Sequence, residues 1–498
     1  MIQNESLRDV NLLRADIRGA DGVKNLEQYR GCLIGGAAGD ALGYAVEFPG
    51  TDAVVKKYGK SGSKNCELHN GIAPVSSVTQ MTLFTANGLL LGTTRGMTRG
   101  IMGPYPAYIA ACYKDWLQTQ SAAYPLRPRS LCSWLVNEPE LFARRDPGDT
   151  CISAIINGAD GTIDEPMNQS KGCGGMVRAA PIGLYLGGRR YESDKIDMIG
   201  AETAALTHGH ELGYIPAAAF VHIIQRLSHN EDISLYEAVR DTEQALLRLF
   251  DGKKYLDEQI RLIDRAIELS NGTFDDLEAV QELGQGWTAE ETLAIAIYCS
   301  LKYSDDFEQA LIAAVNHSGA SSSTGAVTGS IMGTYLGYSS IPDKYIENLE
   351  LKNVILELAD DLYHDCRISE YSPYHDRIWE QKYIKKTYAV NQKRFAKEIF
   401  LFDTYIAGTT HVKGIEELEP YLNEDDELDF IREPDNKYDS QAIAITTAYG
   451  IKLGYVPRED NKIAARLMDA GKILFGRILM KEKKGSWIKI YVKVFLRE

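Results

Sequence analysis

The segment "NQSKGCGGMVR", Asn168 to Arg178, sets three glycines within four residues. A chain without Cβ atoms lets backbone N–H groups close around a phosphate. Gly172, Cys173, Gly174 and Gly175, with Asn168 before them and Met176 after, are therefore candidate ligand residues; the bland alternative is a plain turn. "THGH" supplies His208 and His210, either of which can cap a helix, sit in a core or face a ligand. Neither has the His or Cys companions a zinc site requires. Eight cysteines (32, 66, 112, 132, 151, 173, 299 and 366) are scattered without a CxxC pair. That spacing predicts reduced thiols and a cytoplasmic location rather than a disulfide frame.

These residues need elements to position them. From about residue 28 to 385 the apolar pattern is helical, as in "LAIAIYCSLKYSDDFEQALIAAVNHSG", and the run after Thr79, "QMTLFTANGLLLG", reads as one helix. Gly35, Gly39 and Gly43 recur at spacing four, as do Gly325, Gly329, Gly333 and Gly337. A glycine inside a helix costs about 1 kcal/mol relative to alanine. Such ridges imply close approach, of another helix or of a ligand. Glu47 and "NHSGASSST" adjoin the two ridges. From about 400 the texture changes to short β-type runs such as "QAIAITTA" and "WIKIYVKVFL". Residues 1–27 read as an N-terminal extension and 386–399 as a linker or bridging helix. The chain of 498 residues has a net charge of −15, split between a basic end and an acidic body. Residues 432–498 hold 14 Lys and Arg against 8 Asp and Glu, net +6, which leaves −21 on residues 1–431. A basic end suggests an anionic partner for that module, or simply a lysine-rich solvated face. No apolar run of membrane-spanning length is present, so no membrane partner is expected.

Six blocks in order, "YRGCLIGGAAGDALGYAVEF", "VTQMTLFTANGLL", "SKGCGGMVRAAPIGL", "ALTHGHELGYIPAAA", "LGQGWTAEETLAIAIYC" and "NHSGASSSTGAVTGSIMGTYLG", resemble the ADP-ribosylglycohydrolases across about residues 28–365. The resemblance implies an all-α domain, a cleft for ADP-ribose, and two magnesium ions that support removal of ADP-ribose from proteins or nucleic acids. It also implies that the Gly-rich loop contacts phosphate and that His208 faces the cleft. At the metals the chain departs from the pattern. Ser77 and Val78 stand where the family has two aspartates, and Ala320 and Ser322 stand where it has two more. Of the implied ligand set Glu47, Ser76 and Ser323 remain. Magnesium is a hard cation that selects carboxylate oxygen, and two neighbouring ions need anionic ligands. The expectation is a degenerate site with no magnesium cofactor. The alternative is a working hydrolase whose site is rebuilt from acids such as Asp40, Asp360 or Asp361, acting in repair of ADP-ribosylated nucleic acid. A third possibility is a protein-interaction scaffold.

"LDFIREPDNKYDSQAIAI" and "GIKLGYVPREDNKIAARLMDAG" resemble a HIRAN domain across about 403–480, which implies a small β-barrel and, in some members, a grip on the 3′ end of single-stranded DNA. Such a grip needs an aromatic platform, a cation for phosphate and a polar group at the terminus. On the resemblance Tyr438 stacks, Asp439 hydrogen-bonds the end nucleotide and Arg458 meets phosphate. Thr410 and His411 occupy positions where DNA-binding members carry stronger contacts. A structural Arg–Asp hairpin is the alternative. The combined expectation is a silenced ADP-ribose reader, all-α over 28–385, joined to a β-barrel over 400–498 that binds nucleic acid.

Overall fold

The computed structural model describes residues 25–47, 56–59, 62–100, 102–126, 131–187, 191–230, 232–368, 376–384, 398–412, 415–419, 422–434, 436–447, 451–470, 472–484 and 487–497. Most of the expected N-terminal extension and of the 386–399 linker lies outside the described residues; Leu26 and Glu27 already belong to a helix, and Glu398 and Ile399 to a strand. The chain divides into two compact units, one of which holds residues up to Arg367 and the other most of the chain after 390.

The first unit is helical. Its site is framed by α1 (Leu26–Glu47), α2 (Ser77–Arg99), α3 (Ser193–Ala205), α4 (Glu211–His229), α5 (Ala289–Lys302), α6 (Ser321–Leu336) and α7 (Lys352–His364). At its centre α1 and α6 run antiparallel with their backbones in contact. A Cβ at Gly31 would stand 2.1 Å from the Gly333 carbonyl oxygen, one at Gly35 2.3 Å from that of Gly329, and one at Gly39 2.0 Å from that of Gly325. The series ends at Gly43 against Ser321. The glycine ridges therefore serve helix-to-helix approach. Gly31 belongs to the ridge although the sequence pattern began at Gly35. Gly337 continues it, since a Cβ at Gly31 would stand 2.9 Å from the Gly337 carbonyl carbon, and it also ends α6 at φ +85°, a left-handed backbone that suits glycine. Both helices are buried almost throughout, so neither shows the one-sided apolar stripe of a surface helix.

The second unit is a six-stranded antiparallel sheet in the order β1-β6-β5-β2-β3-β4. The strands are β1 (Glu398–Tyr405), β2 (Glu427–Arg432), β3 (Ile443–Thr447), β4 (Lys452–Tyr455), β5 (Ile473–Lys484) and β6 (Trp487–Arg497), with helix α8 (Arg458–Asp469) after β4. Ala407 and Tyr455 exchange both backbone hydrogen bonds, at 2.8 and 2.9 Å, so the end of β1 meets the far edge strand and the sheet curls shut. Alternation places Ile488, Ile490, Val492, Val494 and Leu496 of β6 in the barrel core.

Candidate functional site

Because the glycine ridge runs α1 antiparallel to α6, the last residue of α1 arrives at the first turn of α6. Glu47 Oε2 accepts the Ser322 N–H at 2.8 Å. A helix start leaves N–H groups without intrahelical partners. α6 has no side-chain cap of its own at Ala320, so Glu47 supplies the acceptor from 275 residues away. Burial pushes the Glu47 carboxyl up to about 7; the Ser322 hydrogen bonds oppose this, and the charges of Asp40 and Asp146 add to it.

The start of α2 is held in the same manner. Ser76 is its N-cap and accepts from the Val78 N–H at 3.1 Å. Fully buried Asp40, about two helical turns before Glu47 on α1, accepts at Oδ2 from the Ser76 N–H (2.9 Å), the Thr79 N–H (3.2 Å) and the Thr79 hydroxyl (2.6 Å). Burial raises Asp40 to about 6, against those hydrogen bonds. The Ser77 N–H donates to Arg145 O at 2.9 Å and its hydroxyl to Asp146 O at 3.4 Å. The Tyr44 hydroxyl donates to the Asp146 carboxylate at 2.5 Å. Tyr44 and Asp146 escaped the sequence reading; the "DPG" turn after Arg145 was the available signal.

The Gly-rich loop completes the arrangement. Cys173 Sγ lies 3.3 Å from Ser323 Oγ and so ties the loop to the first turn of α6. Burial pushes the Cys173 thiol up to about 11, with the Ser323 hydrogen bond opposing it. His208, in the turn between α3 and α4, lies beneath the loop. Cβ atoms at Gly172, Gly174 and Gly175 would stand 3.4, 3.3 and 3.1 Å from its ring. His208 is 2% exposed and its Nδ1 is 2.8 Å from Thr207 Oγ1. Burial, then the buried Arg178, lower it to about 3, so the ring is neutral at ordinary pH. Arg178 stacks on Tyr113 and donates to Thr207 Oγ1 at 2.6 Å. From the other side Cys173 N–H donates to Trp287 O at 3.1 Å and Ala289 N–H to Lys171 O at 2.9 Å.

The predicted residues thus divide. Glu47, Ser76, Ser77, Val78, Ser322, Ser323, Cys173 and Gly172–Gly175 come together around the starts of α2 and α6. Ala320, 1% exposed, is buried there and its side chain brings no polar atom. The ligand roles expected for three others meet structural ones. Met176 is wholly buried and packs in the core, because it lies in the turn beneath the loop. His208 supports the loop from inside rather than presenting a ring to solvent. Asn168 fastens backbone: its Nδ2 donates to Thr207 O at 2.8 Å, and its Oδ1 accepts from Ser170 N–H at 2.9 Å and Gly209 N–H at 3.3 Å. The acids proposed for a rebuilt metal site are already engaged. Asp40 caps α2, Asp360 takes the Arg30 guanidinium in a bidentate pair at 2.7 and 2.8 Å, and Asp361 accepts from Lys382 and Tyr383 at 2.7 Å each. Among the described residues no three His, Cys, Asp or Glu side chains group to hold a metal ion.

In the β unit, Tyr438 stands 86% exposed at the tip of the β2–β3 connection. The Arg458 guanidinium, at the start of α8, donates to Tyr438 O at 2.7 Å. Asp439 is committed to the fold: its Oδ1 accepts from Gln441 N–H at 2.9 Å and its Oδ2 from Asn461 Nδ2 at 2.8 Å. The Gln441 hydrogen bond is the main reason its carboxyl lies below the usual range. Arg432 bonds Ala442 O, Ser440 O and Asp469, which fixes the base of the hairpin. Thr410 is exposed, and the His411 side chain lies outside the described residues.

A family model described as ADP-ribosylglycohydrolase matches residues 22–371, and one described as HIRAN domain matches 399–498. An uncharacterized protein of Archaeoglobus fulgidus is 26% identical over 345 residues, 68% of this chain and 96% of its own length. ADP-ribosylhydrolase ARH3 of Mus musculus is 24% identical over 356 residues, 66% of this chain and 89% of its own. A solved structure described as an ADP-ribosylglycohydrolase-related protein complex is 21% identical and covers 68% of this chain and 98% of its own, with a TM-score of 0.45. No described helix is long and apolar enough to cross a membrane.

Proposed function

From the premise that this chain belongs to the ADP-ribosylglycohydrolase family and carries a C-terminal HIRAN domain, we propose that its helical domain binds ADP-ribose or a related nucleotide without hydrolysing it. One observation carries the reading: the carboxylate of Glu47 is spent on the Ser322 N–H. The family resemblance implies two magnesium ions here, and the residues present do not fit them. Val78 and Ala320 offer no donor, and Ser77, Ser322 and Ser323 offer neutral hydroxyls. Ser76 Oγ already accepts from Val78 N–H. Two hard dications close together require several anionic oxygens to offset their repulsion. Glu47 is the one carboxyl left of the implied ligand set, and burial pushes it up to about 7. What persists is the Gly-rich loop, braced by His208 beneath and by the 287–289 backbone beside it. Its Gly172 and Cys173 N–H groups already donate, to Ser170 Oγ and Trp287 O, and the bare backbone of Gly174 and Gly175 is what suits a diphosphate. Titration calorimetry with ADP-ribose, with and without magnesium, tests this. The expected curve is the same in both. Heat that appears only with magnesium overturns the reading in favour of a rebuilt hydrolase, and no heat at millimolar ligand leaves only a scaffold.

The HIRAN domain, on the same proposal, holds single-stranded nucleic acid through the exposed Tyr438 ring and the Arg458 cation. The support is that Arg458, at the start of α8, reaches the Tyr438 backbone oxygen at 2.7 Å and so stands beside the exposed ring; it also faces Asp439 at 3.7 Å, the Arg–Asp pair of the structural alternative. Asp439, engaged by Gln441 and Asn461, positions that tip. A preference for 3′ ends is tested by comparing strands with free and phosphorylated 3′ termini.

A further inference from the structure

Resting on the reading of the Gly-rich loop as a nucleotide site, we propose that Trp287 is the platform on which the aromatic base of a nucleoside diphosphate ligand stacks. Trp287 is 46% exposed, and its indole makes no ring contact or hydrogen bond with a described residue, although its Nε1–H can donate. An exposed tryptophan on a mobile segment would mean little; this one sits on a braced loop. Glu291 Oε2 accepts from both Gln285 N–H and Gly286 N–H at 3.1 Å, and the Thr292 hydroxyl donates to Gly286 O at 2.6 Å. Gly284 and Gly286 have φ of +132° and +74°, backbone geometry that glycine takes without strain.

The loop touches both other parts of the site. Trp287 O accepts the Cys173 N–H, and Gly172 forms a β-bridge with Thr288. Gln285 O accepts the Ala320 N–H at 2.9 Å, and a Cβ at Gly286 would stand 2.7 Å from Thr324 of α6. The indole is thus attached one residue from the bridge to the Gly-rich loop. A ligand with its diphosphate on that loop would carry its base one ribose away, within reach of a side chain attached there. Tyr236 and Phe274, exposed to a similar degree, lie in other segments of the helical unit.

The test titrates full-length wild type, Trp287→Ala and Trp287→Phe with ADP-ribose and, separately, with inorganic diphosphate, which has no ring. Loss of one stacking platform weakens base binding by about 5- to 150-fold. Trp287→Ala is expected to lose ADP-ribose affinity in that range, Trp287→Phe to keep most of it, and all three to bind diphosphate alike. ADP-ribose binding unchanged in Trp287→Ala overturns the platform and leaves the nucleotide reading standing. An equal loss for both ligands also overturns it, since the loop itself would then be distorted. No ADP-ribose binding by wild type overturns the nucleotide reading, and the platform with it.

Discussion

Glu47 is an acid kept for its acceptor, and its pH behaviour follows. Its folded value of about 7 lies above the ordinary range near 4.5. The folded state therefore binds more protons than the unfolded chain between those values. Its stability is fully present below about 4.5 and is lost as pH rises through 7. Asp40, raised to about 6, acts in the same direction over a lower window. Glu47→Gln keeps the acceptor for Ser322 N–H and removes the titration. It should be more stable than wild type at pH 8, by up to about 3 kcal/mol, with the difference vanishing below pH 4.5. Urea midpoints across that range check this; an equal pH slope in both proteins contradicts it. The missing aspartates make a second case at this scale. Placing Asp together at positions 77, 78, 320 and 322 should restore magnesium binding in calorimetry, whereas single replacements should not, because one carboxylate cannot hold two cations. Tight magnesium binding by wild type would remove the basis of this prediction.

The α1–α6 pair shows why two helices tolerate glycines that each cost about 1 kcal/mol in isolation. Backbone-to-backbone packing over four turns fixes the register that sets Glu47 on the α6 N-terminus. A methyl group at Gly39 has no room, since its Cβ would stand 2.0 Å from a carbonyl oxygen and 2.4 Å from the carbonyl carbon. Gly39→Ala should therefore cost more than about 3 kcal/mol, although alanine is the better helix former. Gly148→Ala, where nothing lies within 4 Å of the added Cβ, is the control and should stay near wild type. Denaturant midpoints separate the two. A Gly39→Ala protein as stable as the control would mean that the helices part at little cost.

At the scale of the whole molecule the charge is divided. Residues 432–498 carry +6, but residues 400–431 of the same β unit hold one Lys against nine Asp and Glu, so 400–498 is −2 as a whole and residues 1–399 carry −13. If the HIRAN domain holds single strands through two or three phosphates, log affinity should fall with log salt at a slope of roughly −1.5 to −2, from about −0.7 per phosphate. Tyr438→Ala in the full chain should weaken binding by about 1–3 kcal/mol, and Arg458→Ala should lower affinity and flatten the slope together. Fluorescence anisotropy with a labelled oligonucleotide measures both. The −13 of residues 1–399 should make the full chain bind less well at low salt than residues 400–498 alone, whose +6 half carries Tyr438 and Arg458. Tyr438→Ala binding as wild type would assign the hairpin to the fold and point to a protein partner.

The sequence by itself determined the helical body, the β-type end, the glycine spacing and the loss of the four aspartates. Each is a local pattern: a period of 3.6 or 2, a ridge every fourth residue, a residue type within a motif. What those residues touch was decided only by tertiary structure. Asp40 looked like a spare metal ligand and is the cap of α2. His208 and Met176 looked like ligand residues, yet they lie under the loop. Gly337 matched the ridge by spacing and, besides packing on α1, ends the helix. Glu47 meets Ser322 across 275 residues, and Trp287 meets Cys173 through a bridge between two loops. Such pairings arise because packing the α1–α6 backbones fixes one register out of several that the spacing allows. A buried polar group then takes whichever partner that register brings within hydrogen-bond distance, and no local periodicity encodes that choice.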